Sequence, residues 1–250
     1  METLDKYRLK TMTGEHYMVT RLHFHCASQS KLKSALKKLK CIAFDERQNQ
    51  WAWLYSNEAR KIKFSIAYED INPKMHPIVL GRIQMRSERE GFLNLNSFER
   101  TTKALEFFDK YIGRRTLKFT DVDVVNKILS PEEAKQGAHS RFFSTKPINS
   151  AELAEERLQK LMSSKALSPE NGLQALVEFT DSAMRSFELI ERLPCNFYEK
   201  NGLQSIKTAL TMREIVAMRH WSGDTDFTVG ELIKTITSGM QPSFADKLST

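Results

Sequence analysis

The chain has 250 residues, 40% of them hydrophobic and 28% charged, with a formal net charge of +7. That balance suits a globular protein with a core, and 15 Phe with 3 Trp exclude a chain that is disordered throughout. No run approaches the roughly 18 apolar residues of a membrane span, and residues 1–10 are too polar for a secretory signal, so a cytoplasmic protein without membrane contact is expected.

The first part of the chain alternates with the period of half-buried strands. In residues 17–26, Met18, Thr20, Leu22, Phe24 and Cys26 share one face, and Tyr17, Val19, Arg21, His23 and His25 the other. Ser30 is expected to cap a helix over 31–40 with the stripe Leu32, Ala35, Leu36 and Leu39. Residues 41–44 and 51–55 read as a hairpin around 45–50. Residues 61–67 alternate again, with Ile62, Phe64 and Ile66 opposite Lys61, Lys63 and Ser65. A second hairpin is expected over 78–86 and 92–96. Asn96 and Glu99 resemble a capping box for a helix over 98–112 that Gly113 closes. A last strand covers 116–122. The order β-α-β-β-β-β-β-α-β with short loops predicts an α+β domain over 1–130, with a mainly antiparallel sheet and two helices on one face.

Pro131, Gly137, Pro147 and scattered Ser and Thr make 131–150 read as a linker, with Phe142 and Phe143 docked on a neighbour. Beyond it the period becomes 3.6. Asn149 with Glu152 is a candidate cap for 151–163, and Ser168-Pro169 opens the stripe Leu173, Leu176, Val177, Thr180, Ala183, Met184, Phe187, Ile190. Residues 203–220 form a further helix, and Thr228 with Glu231 is a capping box for a short one. Residues 151–250 thus read as a small all-α domain. Charge divides similarly: 27 Lys and Arg against 17 Asp and Glu in 1–150, but 11 against 14 in 151–250.

The polar face of the expected sheet carries Arg21, His23, His25, Lys61, Lys63, Arg82, Gln84, Arg86 and Lys118, none of them acidic. Fixed cations attract phosphates and release counterions. Trp51, Trp53 and Tyr55 share one side of a strand. If that side is the open one, rings among cations suit single-stranded nucleic acid; the other possibility is that they face the core. Lys37 and Lys38, on the lysine-rich 31–40 helix, extend the basic surface or simply solvate that helix. The expected function is a nucleic-acid-binding or regulatory protein, with RNA or single-stranded DNA favoured over duplex DNA and the helical part serving a protein partner or a homodimer.

Two alternatives stand beside it: a metal-independent ribonuclease using His23 or His25 for proton transfer, and a non-enzymatic adaptor for an acidic protein. Cys26, Cys41 and Cys195 lie far apart with no C-x-x-C, which speaks against a disulfide framework or zinc finger. His23-Phe24-His25 lacks a third ligand at a telling spacing, so no metal is expected. No phosphate-binding, dinucleotide, nucleophile-elbow or zinc-protease motif occurs, and no cofactor is expected. Asp121 and Asp123 read as strand-end residues.

Overall fold

Alternation in the first half of the chain resolves into strands of a single sheet. A computed structural model describes residues 8–135, 137–149, 152–153, 155–156, 159 and 187–239. Its strands are β1 (Thr20–Cys26), β2 (Ile42–Asp45), β3 (Gln50–Leu54), β4 (Val79–Met85), β5 (Glu90–Leu95), β6 (Leu117–Val125), β7 (Ile148–Asn149) and β8 (Ile190–Pro194). They lie in the order β2-β3-β4-β5-β1-β6-β8-β7. Every neighbouring pair is antiparallel except β7 beside β8. Its helices include α1 (Gln29–Leu36), α2 (Phe98–Tyr111), α3 (Pro131–Lys135), α4 (Ala138–Phe142), α5 (Gly202–Trp221) and α6 (Val229–Gly239). The fold is α+β, as the alternation predicts.

One face of the sheet is dry. Leu22 and Phe24 of β1, Leu93 and Leu95 of β5, and Leu117 and Phe119 of β6 join Leu32 and Leu36 of α1, Leu105 and Phe108 of α2, and Ile206 and Leu210 of α5 in one buried cluster. Trp53 stands 5.1 and 5.2 Å, centroid to centroid, from Phe107 and Phe108. Burying a side chain of this size is worth about 1.5–3 kcal/mol, so the face bearing these groups is the one the helices must cover. Helix starts follow serines: Ser28 Oγ accepts from the Lys31 amide, and Ser97 Oγ from the Arg100 amide. The first cap lies two residues before the expected Ser30, which falls inside the helix, and the second one residue after the expected Asn96. Glu15 and Arg100 form a buried ion pair at 3.0 Å, with Thr11 and Thr13 donating hydroxyls to the carboxylate.

Two expected features differ. Residues 61–67 are not a strand. Residues Asn57–Lys61 wind into a 3-10 turn, and Ile62 and Phe64 reach the core as half-buried loop residues. The segment cannot pair beside β3, the strand it follows, because β3 is already paired with β2 on one side and β4 on the other.

Nor does the chain divide at 131–150. β8 pairs with β6 along Asp121–Val125, and α5 shares the core of the first half. The stretch read as a linker supplies α3, α4 and β7. Ala138 and Phe142 pack with Val19, Val125 and Leu129 on the opposite side of the sheet from α2. Most of the expected helical stripe, 173–184, lies outside the described residues, as do most of 151–163; the Glu152 amide donates to Asn149 Oδ1 at 3.4 Å. What resembles the expected bundle is a satellite core of Val216, Val229 and Leu232 between α5 and α6. The α6 box forms as read: Glu231 N donates to Thr228 Oγ1 at 3.2 Å and Thr228 N to Glu231 Oε2 at 2.8 Å.

Candidate functional site

The face away from α1, α2 and α5 is polar, and strand register sets its order. Directly opposed residues place Arg82, Asn94, Arg21, Asp123 and Arg192 in one row across β4, β5, β1, β6 and β8. With strands about 4.8 Å apart, neighbouring side chains in the row touch. Arg21 Nε donates to Asn94 Oδ1 at 2.9 Å, and its guanidinium lies 4.1 Å from the Phe92 ring centroid and 4.7 Å from that of Phe143. Both rings attract the cation within cation–π range. Burial draws Arg21 below the ordinary arginine pKa; Asp123 opposes that shift, and Arg192 and Arg86 add to it.

Asp123 is 2% exposed and accepts from three donors. Arg192 binds it with a fork, Nε to Oδ1 at 2.6 Å and Nη2 to Oδ2 at 2.8 Å, and His23 Nε2–H donates to Oδ2 at 2.6 Å. Burial acts to raise the Asp123 pKa, but the hydrogen bonds from Arg192 and His23 outweigh it and hold the carboxyl below its usual value. The Arg192 charge is therefore largely spent on Asp123. Further along the face, His25 is exposed opposite Lys118 on β6 and Glu90 on β5, with Nδ1 3.6 Å from Glu90 Oε1.

Helix α4 crosses part of this face. His139 Nε2–H donates to the Leu95 carbonyl at 2.9 Å. Burial first, and then the charges of Arg21 and Arg82, push its pKa down to about 4, so the imidazole is neutral at physiological pH. Between α3–α4 and the β4–β5 hairpin lies a groove of about 550 Å³ lined by Arg82, Gln84, Asn94, Asn96, Gln48 and Tyr17, among others.

The sequence-predicted residues separate into groups. Arg21, Arg82, Lys118, His23 and His25 stand on this open face, and Arg86 at the end of β4 beside it. Trp51, Trp53 and Tyr55 do not; they are core residues. Trp51 opposes Ile83 and Trp53 opposes Gly81, while Ala52 opposes Arg82, so β3 turns its rings toward α2. Lys61 and Lys63 are also displaced. They line a groove of about 330 Å³ with Lys103 and Lys110 of α2, on the helix-covered side. Lys37 and Lys38, exposed past the end of α1, belong to that side too. The open face is also less purely basic than expected, because Asp121, Asp123 and Glu90 share it. Sequence reasoning missed Phe92, Asn94, Asp123 and Arg192, and expected Phe143 to dock without placing it beside Arg21. One signal was present: Val-Asp-Val within a strand places a carboxylate among buried positions, where it needs a partner.

Cys26, Cys41 and Cys195 are free and buried. Among the described residues, no three His, Cys, Asp or Glu side chains converge as a metal site, and no helix is long and apolar enough to cross a membrane. Comparison with protein-family models, curated proteins and solved structures finds no match for this chain.

Proposed function

We propose that the open sheet face binds single-stranded nucleic acid, RNA or single-stranded DNA, and that the protein is a non-enzymatic binding or regulatory factor of the cytoplasm. One observation carries this reading. Arg82, Arg86 and Lys118 sit on or beside the face with no carboxylate partner among the described residues, its buried carboxylate, Asp123, is already paired with Arg192, and the cations on it outnumber Asp121, Asp123 and Glu90. The face therefore presents net positive charge beside the Arg21–Phe92–Phe143 stack. Phosphates meet cations there, and half-buried rings lie within reach of unstacked bases. A duplex is disfavoured, since among the described residues the face is a sheet surface with α4 lying across it, and neither a helix nor a paired ribbon projects from it to enter a groove.

The test is a salt titration with labelled single-stranded oligonucleotides. Affinity should fall with salt, with a log–log slope of about −0.7 per phosphate neutralised. Arg82→Glu, Arg86→Glu and Lys118→Glu together should weaken binding by at least about tenfold on every sequence and flatten that slope. Lys61→Glu with Lys63→Glu, on the far side, should leave affinity within about twofold. Binding indifferent to salt and to the three face charges would end the proposal.

A second reading, metal-independent RNA cleavage, is favoured by one contact: Asp123 fixes the Nε2–H tautomer of His23, as a carboxylate does for an acid–base histidine. Cleavage of labelled RNA in EDTA that His23→Ala abolishes without loss of binding would establish it.

A further inference from the structure

We infer that the groove between α4 and the β4–β5 hairpin holds one nucleobase of the bound strand and selects guanine. The inference rests on the nucleic-acid reading of the same face and adds what that face recognises. At about 550 Å³, the groove falls within the range of small-molecule sites, roughly 300–1,000 Å³. Its chemistry differs from that of a phosphate site. Five amides, Gln48, Gln50, Gln84, Asn94 and Asn96, line it with Tyr17 and a single cation, Arg82, and the described lining residues include no carboxylate and no lysine. His139, also in the wall, is held neutral by burial at physiological pH.

Such a lining recognises a flat polar ligand through its edge. Amides supply both donors and acceptors, and Asn94, whose Oδ1 is taken by Arg21, retains its NH2 as a donor. Arg82 supplies donors only, in a planar fork. Guanine offers two neighbouring acceptors, O6 and N7, on one edge, and arginine is their commonest specific partner. An arginine in a water-accessible phosphate contact would be replaceable by lysine; one paired with O6 and N7 would not.

The experiment uses the full chain and a set of uridine heptamers whose central residue is U, G, A or C, with binding followed by fluorescence anisotropy. The G heptamer should bind about tenfold more tightly than the other three. Arg82→Lys, which keeps the charge, should remove the preference for G by lowering affinity for the G heptamer to that of the other three. Gln84→Ala changes an exposed side chain; it should reduce that preference several-fold at unchanged all-U affinity, and circular dichroism should match the parent for both variants. Equal affinity for all four heptamers, a preference for another base, or a G preference that survives Arg82→Lys would overturn the inference while leaving the nucleic-acid reading intact. Failure of the parent chain to bind any heptamer would overturn both.

Discussion

Asp123 holds three strands together through one side chain, because its hydrogen bonds reach β1 through His23 and β8 through Arg192. A buried carboxylate that loses its partners, or a guanidinium that loses its carboxylate, is costly. Removing one partner of a buried pair costs about 3–5 kcal/mol. Arg192 retains 33% exposure, so water takes up part of that loss, and Asp123→Ala should cost about 3 kcal/mol in urea unfolding with little change in m value. Glu15 and Arg100 are 3% and 2% exposed, and Arg100→Ala should cost more.

pH acts on these groups in two windows. Glu15 and Asp123 are held below the ordinary carboxyl value, with hydrogen bonds and arginine charge overcoming burial. Their stabilisation is present above the unfolded pKa of about 4 and is lost as pH falls through the folded value. His139 behaves differently. Its folded pKa, about 4, lies below the ordinary imidazole value of 6.5, so the unfolded chain takes up the proton first and stability declines as pH falls from about 6.5 to about 4. That group alone should cost about 2 kcal/mol between pH 7 and pH 5. His139→Gln should flatten this part of a urea-stability profile and leave the carboxylate window in place; an unchanged slope would assign the decline to other groups.

The β4–β5 hairpin shows what an element requires beyond alternation. A Cβ on Gly91 would sit 2.5 Å from both the Gln84 carbonyl oxygen and Phe24 Cζ. Gly91→Ala should therefore displace either the hairpin ladder or the core, at about 1–3 kcal/mol, visible as a lower thermal midpoint. The hairpin itself was legible, since two alternating runs flank a polar turn. So were β1, β2 with β3, α2, β6 and the capping box of α6, because each states its own period or cap locally. The facing of β3 was not legible. Gln50, Trp51, Ala52 and Trp53 are all buried, and alternation cannot say which side of a twice-covered strand meets the helices. The 61–67 segment misled for the converse reason: its alternation is genuine, but whether an edge is vacant depends on partners elsewhere in the chain. β8 was read as the end of a helix because five residues ending in Leu193-Pro194 carry no period of their own; β6 and Arg192 give that segment its place. Of the candidate site, the cations on β1 and β4 were legible from strand phase. Phe143, Asp123 and Arg192 were not, since only the register of distant strands brings them to Arg21 and His23.

At the scale of the molecule, one sheet takes strands from both sides of residues 131–150, and one core takes helices from both. A fragment of residues 1–150 would keep β6 without its β8 partner and Asp123 without Arg192. It would also leave bare the core positions that Ile206 and Leu210 cover. It should be soluble only transiently and lack the near-ultraviolet dichroism expected of Trp53 packed between Phe107 and Phe108. A fragment that is monomeric, with native-like dichroism, would show that α5 and β8 are accessories to a self-sufficient sheet. Positive charge is likewise distributed over the whole body, since Lys61, Lys63, Lys103 and Lys110 face away from the Arg82 side. Weak polyanion binding at low salt is therefore expected from either side, and the far-side reversals separate it from binding at the open face.

The place of β8 also has a consequence during synthesis. About 65 residues separate Val125 from Ile190, so a ribosome moving at roughly 5–20 residues per second leaves the outer edge of β6 without its neighbour for several seconds. An unpaired edge carrying Val122, Val124 and Val125 invites pairing between nascent chains. Asp121 and Asp123 stand on that edge, and charges within an edge strand discourage such pairing. The carboxylate that later receives Arg192 thus serves the unfinished chain as a guard, and the arrival of the arginine converts the guard into a clasp.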